Sequence, residues 1–367
     1  MRYLEDLETL CRINSYTKNK AGVDAVGQHM QEWLTPLGFE VTIFARETLG
    51  NHLLFQTPRK HGVKILLLGH NDTVFPPESF ESFSEDKEWV YGPGVCDMKG
   101  GNIVALEALR ETQRRFGTLY NVDFFLVSDE ETGSDDSKAL TLELAKNYDY
   151  CFVFEAAGKN LEVVTGRKGV GTYTLHVQGK AAHAGVRYTE GINANLEAAH
   201  KLQALTALTN LKEGTTVNVG KIQGGIGANT ISPSCEMLVE IRFANEKEKQ
   251  RLLRALEDIT NHAFVSGTST TCKGLIQRDV MEPNEQQTAF IRTLETLCAH
   301  PIPTEKRGGV SDANHVASCG VVTLDGMGPF GDGDHTVHER ALKSSFNQRI
   351  AMMSHILAWH QEHQEFK

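Results

Sequence analysis

Three short apolar runs, each ending abruptly in carboxylate or imidazole side chains, constrain this chain more than anything else in it. The first is VKILLLGHNDTVF, residues 63–75, where Ile65 to Leu68 are continuously apolar and Gly69-His70-Asn71-Asp72 follow at once. Runs of this kind read as strands buried on both faces of a parallel sheet. The second, VDFFLVSDEETGS, carries Val122 to Val127 and then Ser128-Asp129-Glu130-Glu131. The third, YDYCFVFEAAG, is apolar from Cys151 to Phe154 and then presents Glu155. Open α/β sheets place ligands at the carboxyl ends of their strands. Gathering several carboxylates in one place is costly unless cations compensate. Singly, the first end is ambiguous. His70 and Asp72 project to the same side of an extended chain. They read either as a surface pair or as a metal-bound His whose second ring nitrogen is held by a carboxylate.

The remaining chain supplies the frame. At 367 residues, two domains are expected. Residues 3–13, with Leu4, Leu7 and Leu10, and residues 23–37 have helical spacing, and strands follow at 39–45 and 51–55. The acidic and aromatic segment 76–89 reads as a loop. Gly92, Pro93 and Gly94 then make a tight loop before a helix over 99–115, with Asp97 just ahead of it. An Asp in that position ordinarily caps the helix. From Gly171 the texture changes. GTYTLHVQG alternates with period 2, a helix and two strands follow, and the charged helix EKEKQRLLRALEDI precedes a strand over 270–277. This β-α-β-β-α-β order is ferredoxin-like. The expected division is 1–170 and 281–367 for one α/β domain, with 171–280 inserted as an α+β domain. After Pro283 come a helix over 288–299, Ser311-Asp312-Ala313-Asn314 opening a short helix, and a strand near Val321. GPFGDGDHTVHERA, holding His335, His338 and Glu339, then leads to a final long helix.

Charge and cysteine usage narrow the classes. Against 47 acidic residues stand 37 basic ones, a formal charge of −10, and no Lys/Arg cluster is long enough to track phosphates. Nucleic acid is therefore not an expected partner. The seven cysteines form no CxxC pair, which argues against a disulfide framework and a thiolate zinc site. No signal peptide or membrane-length apolar run is visible, so the expectation is a cytoplasmic protein without a membrane partner.

Taken together, GHNDTV, GPGVCDMKGG, SDEETGS, Phe154-Glu155 and DHTVHE resemble the co-catalytic zinc exopeptidase and deacylase family. That family includes glutamate carboxypeptidases of the carboxypeptidase G type, acetylornithine deacetylase, succinyl-diaminopimelate desuccinylase, aminoacylases and tripeptidase. The motifs occur in the right order across nearly the whole chain. The resemblance implies a zinc-exopeptidase mixed-sheet catalytic domain and a ferredoxin-like lid and dimerisation insert. It also implies two Zn2+, with Co2+ or Mn2+ as substitutes. His70, Asp97 and Glu155 would surround one ion, and Asp97, Glu131 and His335 the other, Asp97 bridging. In the family's H-x-x-x-E pattern the first His is the ligand, so His335 with Glu339 fits and His338 does not. Zinc takes such ligands readily, and Glu130, beside a ligand, would be the general base. Asp72 would orient His70.

GKAAHAG, GGIGANTISP and EIRF in the insert also match. By resemblance, His183 acts catalytically across a homodimer, and Asn229 and Arg242 bind substrate, Arg242 holding a carboxylate. The expected activity is hydrolysis of an amide beside a free carboxylate in a small peptide or N-acyl amino acid. GPGV before Cys96 and VTGRKGVGTY resemble the glutamate carboxypeptidase branch most. The alternatives are an N-acyl-amino-acid deacylase of the acetylornithine deacetylase type, or an inactive binding protein on the same fold.

Overall fold

The computed structural model describes residues 2–366 and divides into two units. One comprises the chain up to Gly166, Pro283–Arg307 and the chain from Ser311 on. The other comprises Arg167–Glu282 with Gly308–Val310.

The larger unit is organised by a six-stranded mixed sheet. Its order, edge to edge, is Glu40–Phe44, His52–Gln56, Val122–Val127, Ile65–His70, Tyr150–Val153 and Val322–Leu324. The last four are mutually parallel, while the first two pair antiparallel at one edge. The three apolar runs are thus adjacent central strands. Ile65–His70 and Val122–Val127 are buried throughout, as strands covered on both faces must be. Their shared direction brings His70, the 128–131 turn and Glu155 to one end of the sheet.

Helix Lys99–Phe116 packs against helix Lys343–His363 and helix Arg2–Cys11. It is buried continuously from Lys99 to Arg110, where Arg110 pairs with Asp6 and Glu107, and is exposed only in its last turns. Its start is set by close approach. A Cβ on Gly101 would stand 1.8 Å from the Phe154 carbonyl oxygen, and one on Gly100 2.0 Å from that of Val95. Gly101→Ala gains about 1 kcal/mol of helix propensity. It also drives a methyl into a backbone oxygen that cannot rotate away, an overpacking cost of about 3 kcal/mol. Net destabilisation of about 2 kcal/mol is expected, read as a lower urea midpoint. An unchanged or raised midpoint would show that helix and strand can separate freely.

Segment 76–89 is not wholly a loop. Ser84–Glu85 and Trp89–Tyr91 join Arg340–Leu342 and Gly331–Asp332 in a small antiparallel sheet. The first helix ends at Cys11 and not at residue 13, and the second begins at Lys20, capped by Asn19. Residues 35–37 form a separate 3-10 turn.

The smaller unit has four antiparallel strands in the order Thr216–Gly224, Ser234–Phe243, Gly169–Gln178 and Ser269–Arg278. Helices Ala194–Thr206 and Glu246–Asn261 pack against this sheet. Alternation sends Tyr173, Leu175, Val177, Met237, Val239 and Ile241 into the core. His176, Gln178 and Glu236, at alternate positions of the same strands, are exposed. Lys201 and Glu197 form a fully buried pair, and Lys201 also donates to the carbonyls of Ile259, Thr260 and His262. Gly308–Val310 join this unit through carbonyls that accept from Arg242 and Arg167.

Candidate metal centre

At the carboxyl end of the six-stranded sheet, imidazoles and carboxylates converge. His70 terminates its strand, buried, and its Nε2 lies 3.2 Å from Asp97 Oδ1 and 3.8 Å from Glu155 Oε1. His335 Nε2 lies 3.1 Å from Asp97 Oδ2 and 3.2 Å from Glu131 Oε2. The Asp97 carboxylate therefore turns one oxygen to each histidine. It does not cap the helix behind it, where Met98 occupies the cap position. Two sets of side chains place one potential ligand atom each within 4.8 Å of one another: His70, Glu130 and Glu155, and His70, Asp97 and Glu131. His335 sits on a backbone at φ 61°, the left-handed region that is uncommon for a residue with a side chain.

Asp72 has a larger part than the sequence suggests. Its backbone oxygen lies 3.0 Å from His70 Nδ1 and its Oδ1 3.3 Å from the same atom. Oδ1 accepts from the Glu130 N–H at 3.3 Å, and Oδ2 from the Glu131 N–H at 3.2 Å and the Thr17 hydroxyl at 2.7 Å. One buried carboxylate thus sets both the imidazole and the 3-10 turn that carries Glu130 and Glu131. Asn102 donates to the His70 carbonyl at 2.7 Å, and Lys99, wholly buried, donates to the carbonyls of Leu10 and Ile13. Glu339, also fully buried, accepts from the backbone N–H groups of Gly94, Cys96 and Asp97, each at 3.0 Å. It is the end of the H-x-x-x-E pattern, and its contact is with the loop that delivers Asp97. Thr17 and Asn102 carry no sequence signal of their own; only their place in the fold reveals them.

The electrostatics test whether these donors suit cations. Burial, with the Asp97 charge beside it, pushes Glu131 up to about 8. Burial and Asp97 likewise raise Glu155 well above the carboxylate range. Hydrogen bonds that His335 donates to Asp97 and Glu131 raise its pKa to about 11. Burial opposes ionisation of Asp97, but hydrogen bonds from His335 and His70 outweigh it and hold the carboxyl low. Protons are drawn in where carboxylates outnumber imidazoles. A set of carboxylate oxygens and imidazole nitrogens with that deficit of positive charge matches the preferences of divalent metals.

The other predicted residues lie in the smaller unit. The structure joins two of them: Ala184 N–H donates to the Asn229 carbonyl at 2.9 Å, and His183 bridges to Thr230. Both side chains are on exposed residues. His183 Nδ1 accepts from Gly185 N–H at 3.2 Å, which leaves the proton of the neutral ring on Nε2. Arg242 is already engaged. Its Nε and Nη2 hold Glu240 at 2.8 and 3.3 Å, and Nη1 donates to the Gly308 carbonyl at 3.1 Å.

Comparison with known proteins places this arrangement. The M20 family model for a peptidase dimerisation domain matches residues 165–268. Carboxypeptidase G2 from Pseudomonas sp. (strain RS-16) is 26% identical over 346 residues, covering 91% of this chain and 83% of that protein. Acetylornithine deacetylase from Vibrio vulnificus (strain CMCP6) is 30% identical over 240 residues, covering 60% of this chain and 61% of that protein. The crystal structure of a tripeptidase from Staphylococcus aureus subsp. aureus mu50 superposes with a TM-score of 0.80 at 22% identity, covering 98% of each chain. Among the described residues no helix is long and apolar enough to cross a membrane. Residues 165–268 thus carry the M20 peptidase dimerisation domain, and over most of its length the chain is similar to metal-dependent hydrolases, the M20 metallopeptidases and related deacylases.

Proposed function

We propose that the chain is a dinuclear zinc amidohydrolase that cleaves an amide bond beside a free carboxylate, as a glutamate-carboxypeptidase-like enzyme. The observation that carries this reading is Asp97, whose two carboxylate oxygens face His70 and His335 respectively. His70, Asp97 and Glu155 would hold one ion, and Asp97, Glu131 and His335 the other. Zinc bound there, or Co2+ or Mn2+ in its place, would polarise the scissile carbonyl and make water acidic enough to attack it. Glu130 takes the proton from the attacking water and returns it to the departing amine. Its position is set by its own backbone N–H on Asp72. His183 donates from Nε2 to the developing oxyanion. Arg242 holds the substrate carboxylate, and its two-point grip on Glu240 is the geometry such a ligand would use.

The similarity to carboxypeptidase G2 spans most of this chain and supports a carboxypeptidase; the choice of peptides ending in glutamate rests on the resemblance carried by GPGV and VTGRKGVGTY. The higher identity to acetylornithine deacetylase, over a shorter stretch, supports the second reading, an N-acyl-amino-acid deacylase. A panel of C-terminal-glutamate peptides assayed beside N-acyl amino acids separates them. We expect the highest kcat/KM on the glutamate peptides. Preference for N-acetylornithine would move the assignment to the deacylase, and no turnover of either class would overturn both.

The smaller unit supports a homodimer. Strand Thr216–Gly224 lies at a sheet edge and is largely exposed. Ile222 on it, Ile226 just beyond it and Leu196 on the helix packed against it are also exposed. An open edge with apolar neighbours is a template for pairing with a second copy. A two-fold axis through that edge would make the contribution of His183 reciprocal. Mixing inactive His183→Ala with inactive Glu130→Gln is expected to restore activity, because one of the two sites in each heterodimer is then intact. No recovery, with subunit exchange verified, would confine His183 to its own subunit.

A further inference from the structure

His52, the first residue of strand His52–Gln56, is a fully buried imidazole that the reaction proposed above does not use. Its two ring nitrogens reach opposite ends of one loop. Nδ1 accepts from the Ser128 N–H at 3.1 Å, and Nε2 lies 2.8 Å from Asp136 Oδ1. A backbone N–H can only donate, so Nδ1 keeps its lone pair and Nε2 gives the ring proton to Asp136. Burial opposes ionisation of Asp136, but hydrogen bonds from Arg46 and His52 outweigh it and hold the carboxyl below its usual range.

Between those two ends lie Glu130 and Glu131. The loop also folds back on itself, because Asp129 Oδ2 accepts from the N–H groups of Asp136 at 2.8 Å and Ser137 at 3.2 Å. The Ser128 hydroxyl donates at 2.8 Å to the carbonyl of Asn51, the residue before His52. Asp72 holds the middle of the loop, through the Glu130 and Glu131 N–H groups. Strand His52–Gln56 itself is already paired through its backbone on both sides. The imidazole is therefore not what keeps the sheet together.

We propose that His52 is a positioning residue for hydrolysis: by joining Ser128 to Asp136 it fixes the loop that presents Glu130 and Glu131. The proposal rests on the reading of Glu130 as base and Glu131 as ligand, since His52 acts only through them. A base must stand within hydrogen-bond reach of the water it activates, and a displacement of about 1 Å can cost about 100-fold in rate.

Three full-length variants test it. His52→Leu removes both links, and His52→Asn keeps an acceptor oxygen near the place of Nδ1. Asp136→Ala, at an exposed position, removes only the second link. Turnover of a C-terminal-glutamate peptide and backbone hydrogen exchange of the metal-free chain are measured on each. In His52→Leu we expect kcat to fall about 10–100-fold, with KM within about twofold of wild type. Exchange is expected to rise over residues 128–137 while Ile65–His70 and Tyr150–Val153 keep their protection. His52→Asn should recover most of the lost kcat, and Asp136→Ala should raise exchange in the same segment with a smaller loss of kcat. Exchange needs neither metal nor substrate, so it scores the tether separately from the assignment of Glu130. Unchanged exchange over 128–137, a rise spread evenly over the whole sheet, or a normal kcat in His52→Leu would each overturn the proposal. If His52→Leu does not fold, the same criteria apply to Asp136→Ala.

Discussion

Glu130→Gln is expected to keep its fold and its metals and to lose turnover by about 10²–10⁴-fold, the usual contribution of a positioned base. The amide has nearly the shape of the carboxylate but cannot accept a proton from water. The turn itself should survive, because it is held by the Glu130 and Glu131 backbone N–H groups on Asp72. The competing role is explicit in the geometry: a Glu130 carboxylate oxygen lies within 4.8 Å of potential ligand atoms on His70 and Glu155. If Glu130 were a ligand, the variant would lose metal along with rate. Steady-state kinetics at saturating substrate, together with metal analysis of the same preparation, separate these outcomes. Near-normal turnover would remove Glu130 from the base role, and parallel loss of metal would make it a ligand.

The parts of the fold that were legible are those built from continuous runs. Ile65 to Leu68, Val122 to Val127 and Cys151 to Phe154 leave little choice but a buried sheet, and the polar residues after them mark its functional end. Alternation in GTYTLHVQG announced the half-buried sheet of the smaller unit equally well. Trp89–Tyr91 was hidden because only three residues pair, and their partner, Arg340–Leu342, lies about 250 positions away amid acidic neighbours. Gly308–Val310 read as a simple loop. Its membership of the smaller unit depends on hydrogen bonds from Arg167 and Arg242, which no local pattern encodes.

The candidate site divides in the same way. Strand ends marked His70, the 129–131 carboxylates and Glu155, and the family resemblance singled out Glu131 and, through its H-x-x-x-E pattern, His335. Asp97 preceded a helix and had a simpler explanation as a cap, which the structure removes by turning its carboxylate toward two imidazoles. The dual hold of Asp72 on His70 and on the Glu130–Glu131 turn was out of reach. It needs a 3-10 turn 58 positions away and a Thr17 hydroxyl 55 positions away. Glu339 had a place in a pattern but no stated contact. Its role in binding three backbone N–H groups of the Asp97 loop emerges only once the loop is folded.

The central claim is that one carboxylate serves two metal ions, and Asp97→Ala tests it most directly. Two dications about 4 Å apart repel by about 17 kcal/mol at an effective dielectric of 20, so a shared anion is what makes such a pair tenable. Removing a ligand of one ion alone should cost that ion alone; removing the bridge should cost both. The measurement is metal content per chain by mass spectrometry after dialysis against metal-free buffer, wild type beside Asp97→Ala, with folding checked by circular dichroism. The account predicts two equivalents of zinc in the wild type and essentially none in the folded variant. Two full equivalents retained by the variant would contradict it.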